Sequence, residues 1–404
     1  MPEAVIVSAV RSPIGRARKG SLTHLRPDDL AATMVREALA RVPELDPVDV
    51  EDLMLGCAQP AGEAGYNMAR AVAVLAGLDA VPGTTVNRYC ASSLQTTRMA
   101  FHAIRAGEGS AFVSAGVEAV SRYTNGKSDG LAGTHNPLFE PARARSEQLA
   151  ANPREWTDPR RLGELPDLYL SMGQTAENVA SLHGISRRDQ DEYASASQAR
   201  AVAAIDNGFW AREITAVTGA NGEPVVVDDG PRRGVTVERL AALEPAFRPE
   251  GTVTAGNCCP LNDGAAALVV MSDSRATELG VRPLARILST GVSALSPEIM
   301  GLGPVESTRK ALRSAGLTMA DIDLVEMNEA FAAQVLPSAR ELGIDPDMLN
   351  VAGGAIAVGH PFGMTGARLV TTLLNGLEWH DKEIGLATLC VGGGQGMALV
   401  LQRL

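Results

Sequence analysis

Two stretches of this chain, one near residue 50 and one near residue 320, run through the same order of events. A chain built that way is constrained to fold as two related α/β units. The first pass opens with the apolar, β-prone run Ala4 to Ala9 and a helical pattern from Asp28 to Arg41, with Leu30, Met34, Val35, Ala38 and Leu39 on its apolar side. Asp46-Pro-Val-Asp-Val-Glu-Asp-Leu-Met-Leu-Gly56 then turns into a strand. The second pass reads Ala285 to Thr290 as a strand, Ser307 to Ala315 as a helix, and Met319 to Asn328 as a turn and strand over Ile322 to Met327. Asp49-Val50-Glu51 aligns with Asp321-Ile322-Asp323. Each pass continues through a glycine-flanked turn into an apolar helix, Cys90 to Ala106 and Met364 to Leu374, and then a strand, Ala111 to Ala115 and Leu386 to Val391. The pattern predicts two copies of one unit packed face to face.

Between the copies, from about Arg122 to Ala255, the texture changes. Prolines at 137, 141, 153, 159 and 166 separate short helices, and Ser186-Arg-Arg-Asp189 opens a longer one that Gly208 closes. This segment has no counterpart in the second copy, and an insertion of its size over an α/β body is expected to be a lid or a substrate-binding subdomain.

Charge and cysteine usage narrow the function classes. With 36 basic against 47 acidic residues the net charge is −11, which argues against nucleic acid as a partner. Five cysteines without a Cys-x-x-Cys pair or a histidine cluster suit neither a disulfide framework nor a metal site, so a reducing, cytoplasmic setting without bound metal is expected. Glu3 precedes a short apolar run ending at Arg11, which reads as a strand and not a signal peptide. No apolar run approaches the ~20 residues of a membrane span, so no membrane partner is expected.

Four positions carry chemistry. Cys90 falls where the β-prone Thr84-Thr85-Val86 meets a helix, so the positive end of the helix dipole is expected to lower its pKa and prepare a nucleophile. A lone cysteine is otherwise most often a small core residue. His360 lies among glycines at 353, 354, 359, 363 and 366, which permit close backbone approach around an imidazole suited to proton transfer. Cys390 ends the apolar run Leu386 to Val391 just before Gly392-Gly-Gly-Gln-Gly396, either a plain hairpin turn or a source of oxyanion-binding backbone N–H groups. Asn328 follows the strand Ile322 to Met327 and is expected at a helix N-cap. All of these positions fall at predicted strand ends, where open α/β sheets gather their sites. Two sulfurs and a histidine without metal spacing point to acyl transfer, one thiolate attacking and the other moving a proton.

The blocks Asn87-Arg-Tyr-Cys-Ala-Ser-Ser-Leu-Gln, Met172-Gly-Gln-Thr-Ala-Glu-Asn, Thr254-Ala-Gly-Asn, Asn262-Asp-Gly-Ala-Ala-Ala, Asn328-Glu-Ala-Phe-Ala, Gly353-Gly-Ala-Ile-Ala-Val-Gly-His-Pro and Cys390-Val-Gly-Gly-Gly-Gln-Gly resemble, in this order, those of the thiolase family of acetyl-CoA acetyltransferases and 3-ketoacyl-CoA thiolases. The resemblance spans the chain. It implies a duplicated five-layer α-β-α-β-α core, with residues 1–121 and 256–282 as the N-terminal half, 122–255 as an inserted loop domain for CoA and substrate, and 283–404 as the C-terminal half. It implies a ping-pong acyl-CoA C-acyltransferase in which Cys90 attacks the 3-keto carbon, His360 takes its proton and Cys390 protonates the departing acetyl-CoA carbanion. Asn328 would hold a water in one oxyanion hole, and the N–H groups of Cys90 and Gly392 would form the other. Coenzyme A enters as co-substrate, with no cofactor bound permanently, Arg232, Cys259 and Met172 are expected against it, and the assembly is expected to be a homodimer or homotetramer. For Arg232 and Arg233 a solvated turn carries nearly equal weight.

The chain departs from the family pattern in informative places. Cys258, Cys259 and Pro260 stand where a small residue, serine and glycine are common, and Cys259 is a weaker donor than the serine it replaces. The adjacent thiols are expected to be two small buried residues rather than a redox sensor. Ser171 stands where members devoted to acetoacetyl-CoA synthesis tend to carry histidine, which favours a broader, degradative acyl pocket over biosynthetic acetyl-CoA acetyltransfer. Ala115-Gly-Val-Glu-Ala-Val-Ser keeps Glu118 while its neighbours shrink. A ketosynthase-type condensing enzyme does not call for Cys390, and a papain-like hydrolase calls for neither Cys390 nor CoA. A non-catalytic CoA- or lipid-binding protein on the same body would not need all the reactive positions filled.

Overall fold

The computed structural model describes residues 1–151 and 156–404, so Pro153 of the proline series lies outside the described residues. Ten strands form one sheet: β1 (Ala4–Arg11), β2 (Gly15–Arg16), β3 (Asp52–Gly56), β4 (Gly83–Val86), β5 (Ala111–Ala119), β6 (Asn262–Ser272), β7 (Ala285–Ala294), β8 (Leu324–Met327), β9 (Ile384–Val391) and β10 (Gln395–Arg403). They run in the order β8-β9-β10-β7-β1-β6-β5-β3-β4, with β2 beside β6.

The repeat in the sequence becomes a repeat of topology. In the first half β6 is antiparallel to both β1 and β5, while β3 is parallel to both β5 and β4. In the second half β10 is antiparallel to both β7 and β9, while β8 is parallel to β9 and, through the single bridge Val325–Leu349, to the next segment. The halves meet where β1 and β7 pair antiparallel over only Val5–Arg286 and Ile6–Ala285. The two copies are thus joined along a strand edge as well as stacked.

Helices complete the layers: α1 (Pro27–Ala40), α2 (Met68–Leu75), α3 (Ser92–Ala106), α4 (Glu140–Ala151), α5 (Met172–His183), α6 (Arg187–Asp206), α7 (Gly303–Ala315), α8 (Ala332–Leu342) and α9 (Thr365–Trp379), with shorter turns between them. α3 and α9 pack on each other and on strands of both halves, so they form the middle layer. Every residue of α9 from Thr365 to Leu377 is buried, as a helix with sheet on two sides must be. Gly366 sets the spacing of the pair, because a Cβ there would lie 2.1 Å from the Leu94 backbone nitrogen. The outer face of the first half is covered by α1 and α2, and that of the second by α7 and α8, giving one apolar core between the two halves of the sheet and one under each outer pair.

Local chemistry explains the boundaries. α1 starts on Pro27 with Asp28 and Asp29 in its first turn, α3 stops at left-handed Gly107, and α6 opens on a reciprocal Ser186–Asp189 capping box. Within the insertion, α5 and α6 dock against α8, α5 against the turn Pro297–Leu302 and α6 against the turn Ala355–Val358. The insertion therefore bears on the second half, on the side where His360 and Cys390 lie.

Candidate active site

Cys90 occupies the tight turn Tyr89–Ala91 between β4 and α3. Tyr89 takes a left-handed φ of 43°, stabilised where the Asn87 side chain accepts from its N–H at 2.8 Å. Ser92 locks the other side, its hydroxyl accepting from the Arg88 N–H at 2.9 Å and donating to the Tyr89 carbonyl at 2.6 Å. The strand-to-helix placement is as expected, but the expected fall in the Cys90 pKa is overturned. Burial, with a smaller contribution from Glu118, pushes the thiol up to about 12 against the helping N–H groups of Gly392 and of Cys90 itself. Desolvation of a thiolate outweighs one helix terminus here. Cys90 is a thiol until a base removes its proton.

His360 has the arrangement a general base would need. His360 is buried, and its ring N–H on Nδ1 faces the Thr365 hydroxyl at 2.6 Å. That hydroxyl donates its single proton to the Pro361 carbonyl at 2.8 Å, so it accepts from Nδ1–H. Nε2 is left with its lone pair, and the Asn328 amide nitrogen stands 3.3 Å from it as a donor. The tautomer assigned by this network is the one a general base needs. Burial, then the charge of Arg368, lowers the His360 pKa to about 3, so the ring is neutral at ordinary pH. The His360 backbone is anchored by its N–H to Asn262 at 3.0 Å, and Gly359 takes a φ of 114°, where a Cβ would strike the Asn262 amide at 2.7 Å. Glu118 steadies the same loop. Its carboxylate accepts from the N–H groups of Gly363 and Ala58, both at 2.9 Å, and from the Tyr123 hydroxyl at 3.0 Å.

Asn328 is not a helix N-cap. The helix after it, α8, begins at Ala332 with Phe331 at its N-cap. The intervening residues are extended and pair with the Asn257–Cys259 segment through Cys259 N–H to Ala330 O at 3.0 Å and Ala332 N–H to Asn257 O at 2.9 Å. That pairing frees the Asn328 side chain for His360 and leaves its Oδ1 buried without a protein partner.

Cys390 is fully buried at the end of β9, and its thiol is pushed up by burial and then by the neighbouring Cys90 sulfur. The β9–β10 hairpin turns at Gly392–Gly394, with φ of 74° at Gly393 and 77° at Gly394. Gly392 lies beside the Tyr89 ring, and its N–H acts on the Cys90 sulfur. Cys90, Gly392 and Cys390 are therefore gathered together, as are Asn328 and His360.

The residues expected against CoA are more dispersed. Met172 starts α5 and packs in one apolar cluster with Cys390, Cys258, Phe247 and Phe331. Cys258 and Cys259 are half-buried rather than buried as expected. The Cys259 thiol is raised by burial and then by the sulfurs of Cys258, Cys90 and Cys390, so it borders Cys90 and Cys390. Arg232 is exposed, its N–H donating to Gln198 at 2.8 Å, and its guanidinium lies near that of Arg16. Arg233 is instead paired with Asp206. Thr365 emerges from the structure as a support that residue-by-residue reading passed over, while Asn262 and Glu118, noted there without a role, prove to anchor the His360 loop. The signal for Thr365 was its place five residues after His360 across a Pro-Phe-Gly turn. Among the described residues no cluster of potential metal ligands occurs, and no helix is long and apolar enough to cross a membrane.

Comparison with known proteins bears on the chain as a whole. Residues 4–274 match the family described as thiolase, N-terminal domain, and residues 281–403 match thiolase, C-terminal domain. The chain is 43% identical over 413 residues to a 3-ketoacyl-CoA thiolase of Erwinia tasmaniensis and 42% identical over 412 residues to one of Klebsiella pneumoniae, with 100% of each chain covered. Among solved structures it is similar to the Bacillus anthracis acetyl-CoA acetyltransferase, with a TM-score of 0.85 at 37% identity over 100% of this chain and 99% of that one. The duplicated sheet, the buried central helices and the full-length matches lead to one conclusion: this chain belongs to the thiolase family.

Proposed function

We propose that the chain is an acyl-CoA C-acyltransferase that cleaves 3-ketoacyl-CoA with CoA, releasing acetyl-CoA and a shortened acyl-CoA. The observation that carries this reading is the gathering of Cys90, Cys390 and the Gly392 N–H, in a fold that also holds a buried, neutral His360 whose proton sits on Nδ1 and whose Nε2 lone pair faces the Asn328 amide. His360 Nε2 takes the Cys90 proton as sulfur attacks the 3-keto carbon, and the N–H groups of Cys90 and Gly392 face one developing oxyanion. Cleavage of the C2–C3 bond leaves the acyl group on Cys90. The electron pair goes to C2 of acetyl-CoA, where the Cys390 thiol delivers a proton. The Cys390 thiolate takes the proton of free CoA as the CoA sulfur attacks the Cys90 thioester, and the departing Cys90 thiolate recovers its proton from His360. The unpartnered Asn328 Oδ1 supports a role in holding a water at the second oxyanion position. In reverse, the Cys390 thiolate removes the α-proton of acetyl-CoA.

Arg232, exposed beside Arg16 without a carboxylate of its own among the described residues, suits the phosphates of CoA, and Cys259 and Met172 flank the thiol end. Division of the chain at 1–121 with 256–282, 122–255, and 283–404, assembly as a homodimer or homotetramer, and a cytoplasmic setting belong to the same proposal. Biosynthetic acetoacetyl-CoA formation is the second reading, prompted by the name of the Bacillus anthracis neighbour. The decisive experiment follows loss of the 3-ketoacyl-CoA enolate absorbance on adding CoA, across short, medium and long chains, in wild type and Cys90→Ala. Turnover of the longer chains that vanishes in Cys90→Ala is expected. Activity on acetoacetyl-CoA alone would select the biosynthetic reading, and CoA binding without turnover would leave a binding protein.

A further inference from the structure

Glu298 is an almost fully buried carboxylate on the turn Pro297–Leu302, outside the groups that would touch substrate. Its side chain is taken up entirely by the insertion. Oε1 accepts from Arg145 Nη2 and from the Asp167 N–H, both at 2.8 Å, and Oε2 accepts from the Trp156 indole N–H at 2.7 Å. Its own carbonyl accepts from Asn178 of α5 at 2.8 Å. Four sites of the insertion, far apart along the chain, thus converge on one residue of the second half. Arg145 spreads the clasp further, donating to Glu164 at 2.9 Å and to the Leu165 carbonyl at 2.8 Å.

The clasp has the reacting groups on its other side. The segment leading into Glu298 holds the glycine turn, since the Leu295 N–H donates to the Gly394 carbonyl at 2.8 Å and a Cβ on Gly394 would lie 2.6 Å from the Pro297 nitrogen. The residue after Asp167 reaches the same turn from above, because a Cβ on Gly393 would lie 3.6 Å from Leu168 and 3.7 Å from the ring of Tyr89. Leu168 is followed by Tyr169, stacked on His135 at 4.0 Å between ring centroids. Glu298 therefore ties an apolar flap, Leu168 with Tyr169, to the turn whose Gly392 N–H faces Cys90.

We propose that Glu298 is a positioning residue that sets where this flap lies over the acyl side of Cys90, and so governs binding of the 3-ketoacyl group without taking part in bond making. This rests on the thiolytic reading above. Buried charge-assisted hydrogen bonds suit the task, because a carboxylate with all its donors satisfied is strong only in one geometry.

The test compares the full-length wild type with Glu298→Ala and the near-isosteric Glu298→Gln. Hydrogen exchange is followed in peptides covering residues 138–151 and 156–169, with the β9–β10 hairpin as an internal reference. Loss of a buried charged hydrogen bond is expected to speed exchange in those peptides roughly tenfold or more in Glu298→Ala, with the hairpin unchanged. KM for a medium-chain 3-ketoacyl-CoA should rise about tenfold while kcat stays within about twofold, and Glu298→Gln, whose single amide oxygen keeps the donors on one side of the clasp (Asp167 with Arg145, or Trp156) and loses the other, should fall between. Unchanged exchange in Glu298→Ala overturns the clasp. Faster exchange with a loss confined to kcat, or with KM untouched, overturns its role in acyl binding. If the wild type turns over no 3-ketoacyl-CoA, the thiolytic reading fails while exchange still decides the clasp.

Discussion

At His360 two hydrogen bonds decide which nitrogen carries the proton, and the consequence is measurable. Replacing Thr365 with valine keeps the shape but removes the acceptor for Nδ1–H, so the tautomer is no longer imposed. A fall in kcat of about tenfold to a hundredfold is expected, with circular dichroism unchanged, given what a positioned base contributes. The depressed pKa has a second consequence, for stability. Below the ordinary histidine value of 6.5 the unfolded chain binds a proton that native His360 refuses until about pH 3, so folding is penalised as pH falls through that window. The penalty is about 1.4 kcal/mol per pH unit. Urea midpoints between pH 7 and 5 should therefore fall less steeply in His360→Asn than in wild type, and parallel slopes would refute the depressed pKa. The sequence marked Cys90 and His360 by their neighbours along the chain. It did not reveal that Cys90 is a resting thiol, because desolvation comes from residues hundreds of positions away, and a helix start is visible locally while burial is not.

Elements were legible where periodicity and caps agree. The strand at Ala4, the first helix and the glycine hairpin after Cys390 lie close to where their patterns place them. The expected N-cap at Asn328 was lost to tertiary pairing, since extended residues beside Asn257–Cys259 satisfy the same backbone groups that a helix would. The central helix pair shows the same dependence on contact. Gly366 and Gly376 both sit inside α9, where helix propensity favours alanine at each by up to about 1 kcal/mol. Packing separates them. A Cβ at Gly366 would collide with the backbone of Leu94, while one at Gly376 would meet Leu324 at an ordinary 3.4 Å. Gly366→Ala should therefore destabilise by about 1–3 kcal/mol or more, and Gly376→Ala should be neutral or stabilising. Denaturant unfolding of the two variants checks this, and equal effects would show that close approach of α3 and α9 does not limit packing.

Across the whole molecule the duplication could be read from repeated grammar, but the way its parts are joined could not, because single long-range contacts leave no periodic trace. Arg11 is the chief example. It ends β1 in the first half, is fully buried, and forms ion pairs with Glu213 and Asp228 from the insertion, the latter through both guanidinium nitrogens at 2.8 and 2.9 Å. Glu213 in turn accepts from Thr372 at 3.0 Å and Asn375 at 3.1 Å on α9, the helix that also carries Thr365 beside His360. One guanidinium thus links the first half, the insertion and the second half. Removing it leaves two buried carboxylates without their cation, a loss of about 3–5 kcal/mol for Arg11→Met. Arg11→Lys keeps the charge but cannot supply the planar fork to both acids, so an intermediate loss is expected. The ring of Trp210 lies 5.1 Å from the Arg11 guanidinium carbon and reports on the junction by fluorescence. Because the junction and the candidate site share α9, the change in Trp210 emission and the loss of thiolysis should fall together along one denaturation curve, shifted to lower urea in Arg11→Met. A change within about 1 kcal/mol would mean that the buried pair contributes no net stability, as some buried ion pairs do not. Separate transitions for emission and activity would mean that the site does not depend on how the three parts are joined.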